Sequence, residues 1–317
     1  MTILVTGANG FVGSALVRRL ARDHRDVLAG LHRTQPGSMP RSVMLGDLAQ
    51  PQDWRPRLSG VSCIVHAAAR VHVLDERASD PLAAFRAVNV AGTLALARQA
   101  AEAGVRRFVF VSSIKVNGES TPPGVPFKAD DKPGPLDAYG VSKHEAEQAL
   151  SALAQTTGME VVIVRPPLVY GPGVRANFRA LMRLLTLRVP LPFGAINNAR
   201  SLVGIGNLAD FLVHCIDSPA AAHRTFLVSD GEDVSTTDLL RRLGMALQRR
   251  PLLVPFPQAA LMALGSLAGQ GERVRRLCEN LQVDLDSTRQ TLGWKPPQTL
   301  DMGLAETARH FLHEARN

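Results

Sequence analysis

Short apolar, β-branched runs alternate with longer stretches of helical period along most of the chain. Residues 2–6 form the first such run, and Leu16, Val17 and Leu20 follow it at helical spacing. Apolar runs recur at 27–31, 43–45, 63–66, 108–111 and 160–164. Between them lie a helical period over 80–104, marked by Phe85, Val88, Leu94 and Leu96, and another over 138–157. Strands that are apolar on both faces and separated by helices predict a doubly wound parallel α/β sheet, with ligands at the carboxyl ends of the strands.

The pattern changes after Pro166-Pro167. Residues 168–173 read as a turn-rich exit, 177–187 as a helix, 190–198 as a proline- and asparagine-rich loop, 200–203 as a strand and 207–216 as a helix. Residues 225–228 read as a last apolar strand returning to the main sheet. From Ser235, with Asp238 three residues on, helices dominate to the end. The chain therefore divides into a dinucleotide-binding part (1–172 and 200–231) and a smaller, mostly helical substrate lobe (173–199 and 232–317). Within that lobe 259–268 is apolar almost all round (Leu261, Met262, Leu264, Leu267) and is expected to be buried; docking on a membrane surface or a partner is the alternative.

The strand at 2–6 runs into Gly7, Ala8, Asn9, Gly10, Phe11, Val12 and Gly13 and then into a helix. Strand, glycine turn and helix start are the context a dinucleotide site needs, since the open amides of the helix N-terminus attract a pyrophosphate. The spacing G-x-x-G-x-x-G is one residue longer than the usual motif. After the second strand, where an NAD site places a carboxylate for the ribose hydroxyl, this chain has Leu31, His32, Arg33 and Thr34. Arg33 with His32 suits a 2′-phosphate, so the reading leans to NADP over NAD; the alternative is a solvated turn. Asp47, beside Leu48, either meets the adenine edge or caps the next helix. Small residues at Ala67, Ala68 and Ala69 let a flat cofactor lie against a strand end. The amide of Asn89, within a core-facing helix, requires a polar partner. Tyr139 and Lys143 stand one helical turn apart, where the ammonium can favour the phenolate and suit Tyr139 to proton transfer.

With 317 residues, 45% of them apolar and 20% charged, the chain can bury a large core. Met1 and Thr2 run straight into apolar sequence with no basic leader, and no apolar run is long enough to span a membrane, so a cytoplasmic location is expected. The three cysteines, Cys63, Cys215 and Cys278, lack metal-ligand spacing, so no metal site is predicted. The net charge of +8 is spread in arginine pairs without interleaved aromatics, which argues against nucleic acid.

In order, Thr6-Gly-x-x-Gly10-x-x-Gly13, Asp47-Leu48, His66-Ala-Ala-Ala69, Asn89, Ser112-Ser113, Tyr139-x-x-x-Lys143, Arg165-Pro-x-x-Val-Tyr-Gly171-Pro172-Gly173, Arg200, Asn207-Leu208 and Leu292-Gly-Trp294-x-Pro296 resemble an extended short-chain dehydrogenase/reductase across essentially the whole chain. Residues 112–119 resemble the UDP-glucose 4-epimerase-like branch, which includes reductases of 4-keto sugars that supply O-antigen precursors. The resemblance implies a Rossmann domain with a small lobe over a UDP-linked sugar. It makes Ser113, Tyr139 and Lys143 catalytic: Ser113 binds the sugar O4, Tyr139 moves its proton, and Lys143 holds the nicotinamide ribose. It adds Ser112 and Pro166 to the cofactor residues, and Lys115, Asn177, Arg200, Arg275 and Arg276 to the substrate residues. It further implies a homodimer pairing the 80–104 and 138–157 helices. Where sugar 4,6-dehydratases carry an Asp-Glu pair this chain has Ile114-Lys115, so dehydration is disfavoured. Leu168 replaces an asparagine that touches substrate phosphate in many relatives. The leading expectation is an NAD(P)H-dependent 4-keto-sugar reductase; a UDP-hexose 4-epimerase with tightly held NAD and a non-catalytic dinucleotide-binding protein are the alternatives.

Overall fold

The computed structural model describes residues 1–33, 41–71, 80–187 and 189–315. Thr34, in the stretch read as cofactor-facing, lies outside the described residues. The strands are β1 (Thr2–Thr6), β2 (Val27–Leu31), β3 (Ser42–Met44), β4 (Val61–His66), β5 (Arg107–Val111), β6 (Glu160–Arg165), β7 (Leu168–Tyr170), β8 (Arg200–Gly204), β9 (Thr225–Leu227) and β10 (Asp233–Val234). Helices α1 (Phe11–Arg22), α2 (Arg55–Leu58), α3 (Pro81–Arg86), α4 (Thr93–Glu102), α5 (Ala138–Thr157) and α6 (Ala176–Thr186) lie between the strands. Helix α7 (Ile205–Asp217) follows β8. The C-terminal run is α8 (Thr236–Ala246), α9 (Gln258–Leu267), α10 (Gly271–Cys278), α11 (Asp286–Leu292) and α12 (Leu300–Glu314).

Seven strands form one sheet in the order β3-β2-β1-β4-β5-β6-β9, and every pairing in it is parallel. This is the doubly wound Rossmann arrangement, reversing direction between β1 and β4. Each face is covered: α1 and α7 pack on the side of Ile3, Val5 and Val65, and α4 and α5 on the side of Leu4, Ile64, Phe108 and Phe110. Alternate residues of one strand thus serve opposite cores, which explains why the strands read as unbroken apolar runs. Strand β9 joins β6, as its apolar composition predicted.

Two expectations need correction. Residues 168–173 are not only a turn: Leu168–Tyr170 is a strand that pairs with β8, and β8 with β10, in a separate three-stranded sheet. Nor is 80–104 one regular helix, because Ala87–Gly92 is a π-helical segment between α3 and α4. That segment holds Asn89, and Gly92 lets it pack close, since a Cβ there would stand 2.4 Å from the Leu48 carbonyl oxygen.

Behind the small sheet, Tyr170 donates to Asp230 Oδ2 at 2.7 Å, while Asp230 Oδ1 accepts from Gly204 N (2.8 Å) and Asn207 Nδ2 (2.7 Å). This buried knot ties β7, β8 and α7 together. At the opposite end of the main sheet Arg107, 1% exposed, pairs with Glu160 and donates from NH1 to the carbonyls of Cys215, Ile216 and Ser218 at the end of α7. All three cysteines are buried and unpaired, the behaviour of small hydrophobes.

Candidate active site

The first turn of α1 meets the end of β1 through the glycine loop. Gly7 has φ +64°, and a Cβ on it would lie 2.8 Å from the backbone of Ala68; a Cβ on Gly13 would lie 2.2 Å from the Gly7 carbonyl oxygen. Only glycine fits at either place. Gly10 caps α1 with extended backbone and no side-chain acceptor, and no acidic residue lies in the first turn. The amides of Phe11, Val12 and Gly13 therefore open a helix N-terminus suited to the pyrophosphate of a dinucleotide. Asn9 is exposed beside it, whereas Phe11 and Val12 turn their side chains partly into the cores.

Other predicted residues fall at neighbouring strand ends. His32 and Arg33 are exposed just past β2. Asp47 caps its own turn, accepting from Ala49 N at 3.0 Å, and Leu48 lies against Gly92. Ala67–Ala69 follow β4, with Ala68 N donating to Thr6 Oγ1 at 3.1 Å. That hydroxyl also contacts His66 Nδ1 at 2.9 Å, and His66 Nε2 contacts Thr93 Oγ1 at 2.9 Å. Burial, with the Lys143 charge second, pulls His66 down to about 3, so this ring is a neutral strut.

Asn89, 1% exposed, finds the polar partners its position required. It accepts from Arg70 N at 2.8 Å and donates to Arg70 O at 3.0 Å and to Ser142 Oγ at 3.0 Å. The π-helical segment thus anchors the backbone after Ala69 to the helix of Tyr139 and Lys143.

Helix α5 begins at Asp137, whose Oδ1 accepts from Gly140 N at 2.7 Å. This cap sets Tyr139 in the first turn, edge-on to Phe85 at 6.0 Å between centroids, with the Arg70 guanidinium 5.7 Å from the Phe85 ring centre. One turn on, Lys143 is 2% exposed with Nζ 4.1 Å from the Phe110 ring centre. Burial pulls its ammonium down to about 7, against the raising effect of Glu147. The expectation that a cation lowers Tyr139 is not met in this arrangement: burial, then the negative charge of Asp137, pushes the phenol above its usual value.

Ser113, partly exposed, follows β5 with extended backbone and accepts from Lys115 N at 3.3 Å; the next turn is held by Ile114 N donating to the Pro166 carbonyl at 3.0 Å. Ser112 directs its hydroxyl inward. Its hydroxyl donates at 2.5 Å to Glu147 Oε1, within a buried pair of Glu147 and Arg165 whose NH2 lies 2.6 Å from Oε2. Arg165 NH1 reaches Asn117 Oδ1 at 3.0 Å. Glu147 stands one turn after Lys143, so one carboxylate braces the Ser112-Ser113 strand end and supports the lysine's charge. The visible signal was Tyr-x-x-x-Lys extended by a further Glu at four residues, which by itself reads as a solvated helix face.

The basic residues predicted for substrate are tied together by carboxylates that sequence reading missed. Lys115 pairs with Glu119 (2.9 Å) and Asp137, and Glu119 also pairs with Arg276 at 3.3 Å. Arg200 NH1 donates to the carbonyls of Arg276 (2.8 Å) and Glu279 (3.0 Å), and burial lowers its guanidinium from the usual value. Arg275 is half exposed, 3.7 Å from Glu279. Ser113, Lys115, Arg276 and Arg200 thus lie along one connected wall running from β5 to β8 and α10, and Lys115 ties it to Asp137, the cap of α5 two residues before Tyr139. Asn177 is exposed in the first turn of α6, outside that network of contacts.

An open helix N-terminus, a Tyr/Lys helix and a serine just past β5 coincide with a family match over residues 3–229, described as the NAD dependent epimerase/dehydratase family. The chain belongs to that family. It is an NAD(P)-dependent enzyme of the extended short-chain dehydrogenase/reductase type. A UDP-glucose 4-epimerase of Vibrio cholerae is 49% identical over 313 residues, covering 98% of this chain and 95% of the relative. An Escherichia coli O157:H7 epimerase named for N-acetyl-α-D-glucosaminyl-diphospho-ditrans,octacis-undecaprenol is 25% identical over 332 residues, covering 99% and 97%. The solved structure of MoeE5 in complex with UDP-glucuronic acid and NAD superposes with a TM-score of 0.79 at 25% identity, covering 99% of this chain and all of that one. These likenesses favour the epimerase alternative over the leading reductase expectation.

Proposed function

We propose that this chain is a UDP-hexose 4-epimerase working with NAD. The observation that carries the reading is the 49% identity to the Vibrio cholerae 4-epimerase across nearly the full length of both chains, in a protein that has Ser113 just past β5 and Tyr139 and Lys143 in the first turns of α5. The nicotinamide, when bound, supplies reversible hydride transfer at C4. The residues do the rest. Ser113 orients the O4 hydroxyl, Tyr139 takes the O4 proton as C4 becomes a ketone and returns it after the sugar presents its other face, and Lys143 holds the ribose. Arg200 and Arg276 would grip the diphosphate, and the carboxylates Glu119 and Asp137 keep their side of the wall ordered. With Ile114 and Lys115 in place of the Asp-Glu pair of sugar 4,6-dehydratases, elimination of water is disfavoured.

A second reading, the NADPH-dependent 4-keto-sugar reductase, is favoured by one feature: no carboxylate follows β2, and His32 and Arg33 stand exposed there to meet a 2′-phosphate. One experiment separates the two. Nucleotide released from the purified protein should be NAD at near one equivalent, and UDP-glucose should equilibrate with UDP-galactose without added cofactor. A site that retains no nucleotide and consumes NADPH with a UDP-4-keto sugar would replace the epimerase by the reductase.

A further inference from the structure

Helix α9 was expected to be buried, and it is not. Only Leu261 and Gly265 are buried in it, while Leu264 is 54% and Leu267 86% exposed. The helix is seated from one side only, through Leu261 against Ile196 and through Gly265, where a Cβ would stand 2.5 Å from Val274 of α10. The chain leading into it behaves alike. Leu252 (53% exposed) and Val254 (46%) point outward from a ladder in which Leu191 N donates to Leu252 O and Val254 N to Leu191 O. Large apolar side chains kept in water along a ladder and the helix it feeds mark a contact surface rather than scattered exposure.

Charge decides the occupant. From 245 to 271 the sequence holds no acidic residue, and its only charges are the exposed Arg249 and Arg250; α10 and its cap then add Arg273, Arg275 and Arg276 against Glu272 and Glu279. A second copy meeting this face about a two-fold axis would bring like charges together. An anionic lipid surface would pair with the arginines while the leucines entered its headgroup boundary. A ten-residue helix is too short to span, and no described helix is long and apolar enough to cross a membrane. We infer that the α9 face, with Leu252 and Val254, seats the enzyme peripherally on anionic membranes.

The test is flotation of the full-length protein with vesicles of phosphatidylethanolamine and phosphatidylglycerol, beside vesicles of phosphatidylcholine alone. The protein should float with the anionic vesicles, come off as ionic strength rises, and stay behind with the neutral ones. Leu264→Glu with Leu267→Glu should cut binding by about tenfold or more, as expected for withdrawing buried leucines. Turnover of UDP-hexose and the melting midpoint should not change. The milder Leu267→Ser should give a smaller loss in the same direction and guards against a folding failure. The proposal is overturned if the protein does not float, floats equally with neutral vesicles, or binds undiminished in both variants. It is also overturned if light scattering shows an assembly of the parent protein that the double variant dissolves, which would make this face a self-interface.

Discussion

Tyr139 and Lys143 were legible from their spacing, but their ionisation was not. Spacing promised a cation that lowers a phenol; the folded environment buries both groups, lifts the phenol and draws the ammonium down to about 7. Tyr139→Phe should reduce turnover roughly 100-fold or more while the cofactor still binds, since general acid–base groups contribute on that order; turnover within a few-fold of the parent would remove the assignment. The sign for Lys143 follows from its direction of shift. A lysine held below its unfolded value loses its charge as pH rises through about 7, so activity that needs the ammonium falls on the alkaline side. Folding stability gains from the same group as pH climbs from about 7 towards 10.5, because only the unfolded chain then holds the proton. Glu147→Gln removes the charge that raises Lys143 and should move the alkaline limb of kcat/KM to lower pH; a limb that stays in place or moves upward would show that Glu147 does not sustain the ammonium.

At the scale of elements, the start of α1 depends on the absence of side chains. Gly13→Ala would press a methyl group against the Gly7 carbonyl oxygen, 2.2 Å away on the present backbone, and so push the helix N-terminus off the β1 end. Overpacking of this kind costs about 1–3 kcal/mol, enough to lower dinucleotide retention roughly tenfold. Equilibrium titration of cofactor measures it, and unchanged affinity would place the pyrophosphate elsewhere. Sequence period gave α5 its bounds of 138 and 157, because the Asp137 cap and the left-handed Gly158 are both local signals. It missed the π-helical segment at 87–92, whose cause is distant: Asn89 is drawn to Arg70 and Ser142 from other parts of the chain.

Across the whole molecule, opposite ends of the main sheet do different work. The carboxyl ends carry the candidate site; the amino end is locked by Arg107, which pairs with Glu160 and holds the last carbonyls of α7. Arg107→Met should cost about 3–5 kcal/mol, because it leaves a largely buried carboxylate and three carbonyls without their partner. Denaturant unfolding measures the loss, and the surviving folded protein should turn over UDP-hexose at the parental rate. A large fall in turnover at unchanged stability would mean that this end of β5 governs the Ser113 end.

The sequence by itself determined the parallel α/β sheet, the glycine loop and the candidacy of Ser113, Tyr139 and Lys143, because period, glycine spacing and helix caps are properties of neighbouring residues. Tertiary structure decided what depends on residues far apart in the chain. It turned Ser112 towards Glu147 and Arg165, bound Lys115 and Arg276 through Glu119, and recruited 168–170 into a second sheet. It also left Leu264 and Leu267 in water, although composition alone reads them as core. Burial is a sum over everything that packs against a residue, and no local pattern carries that sum.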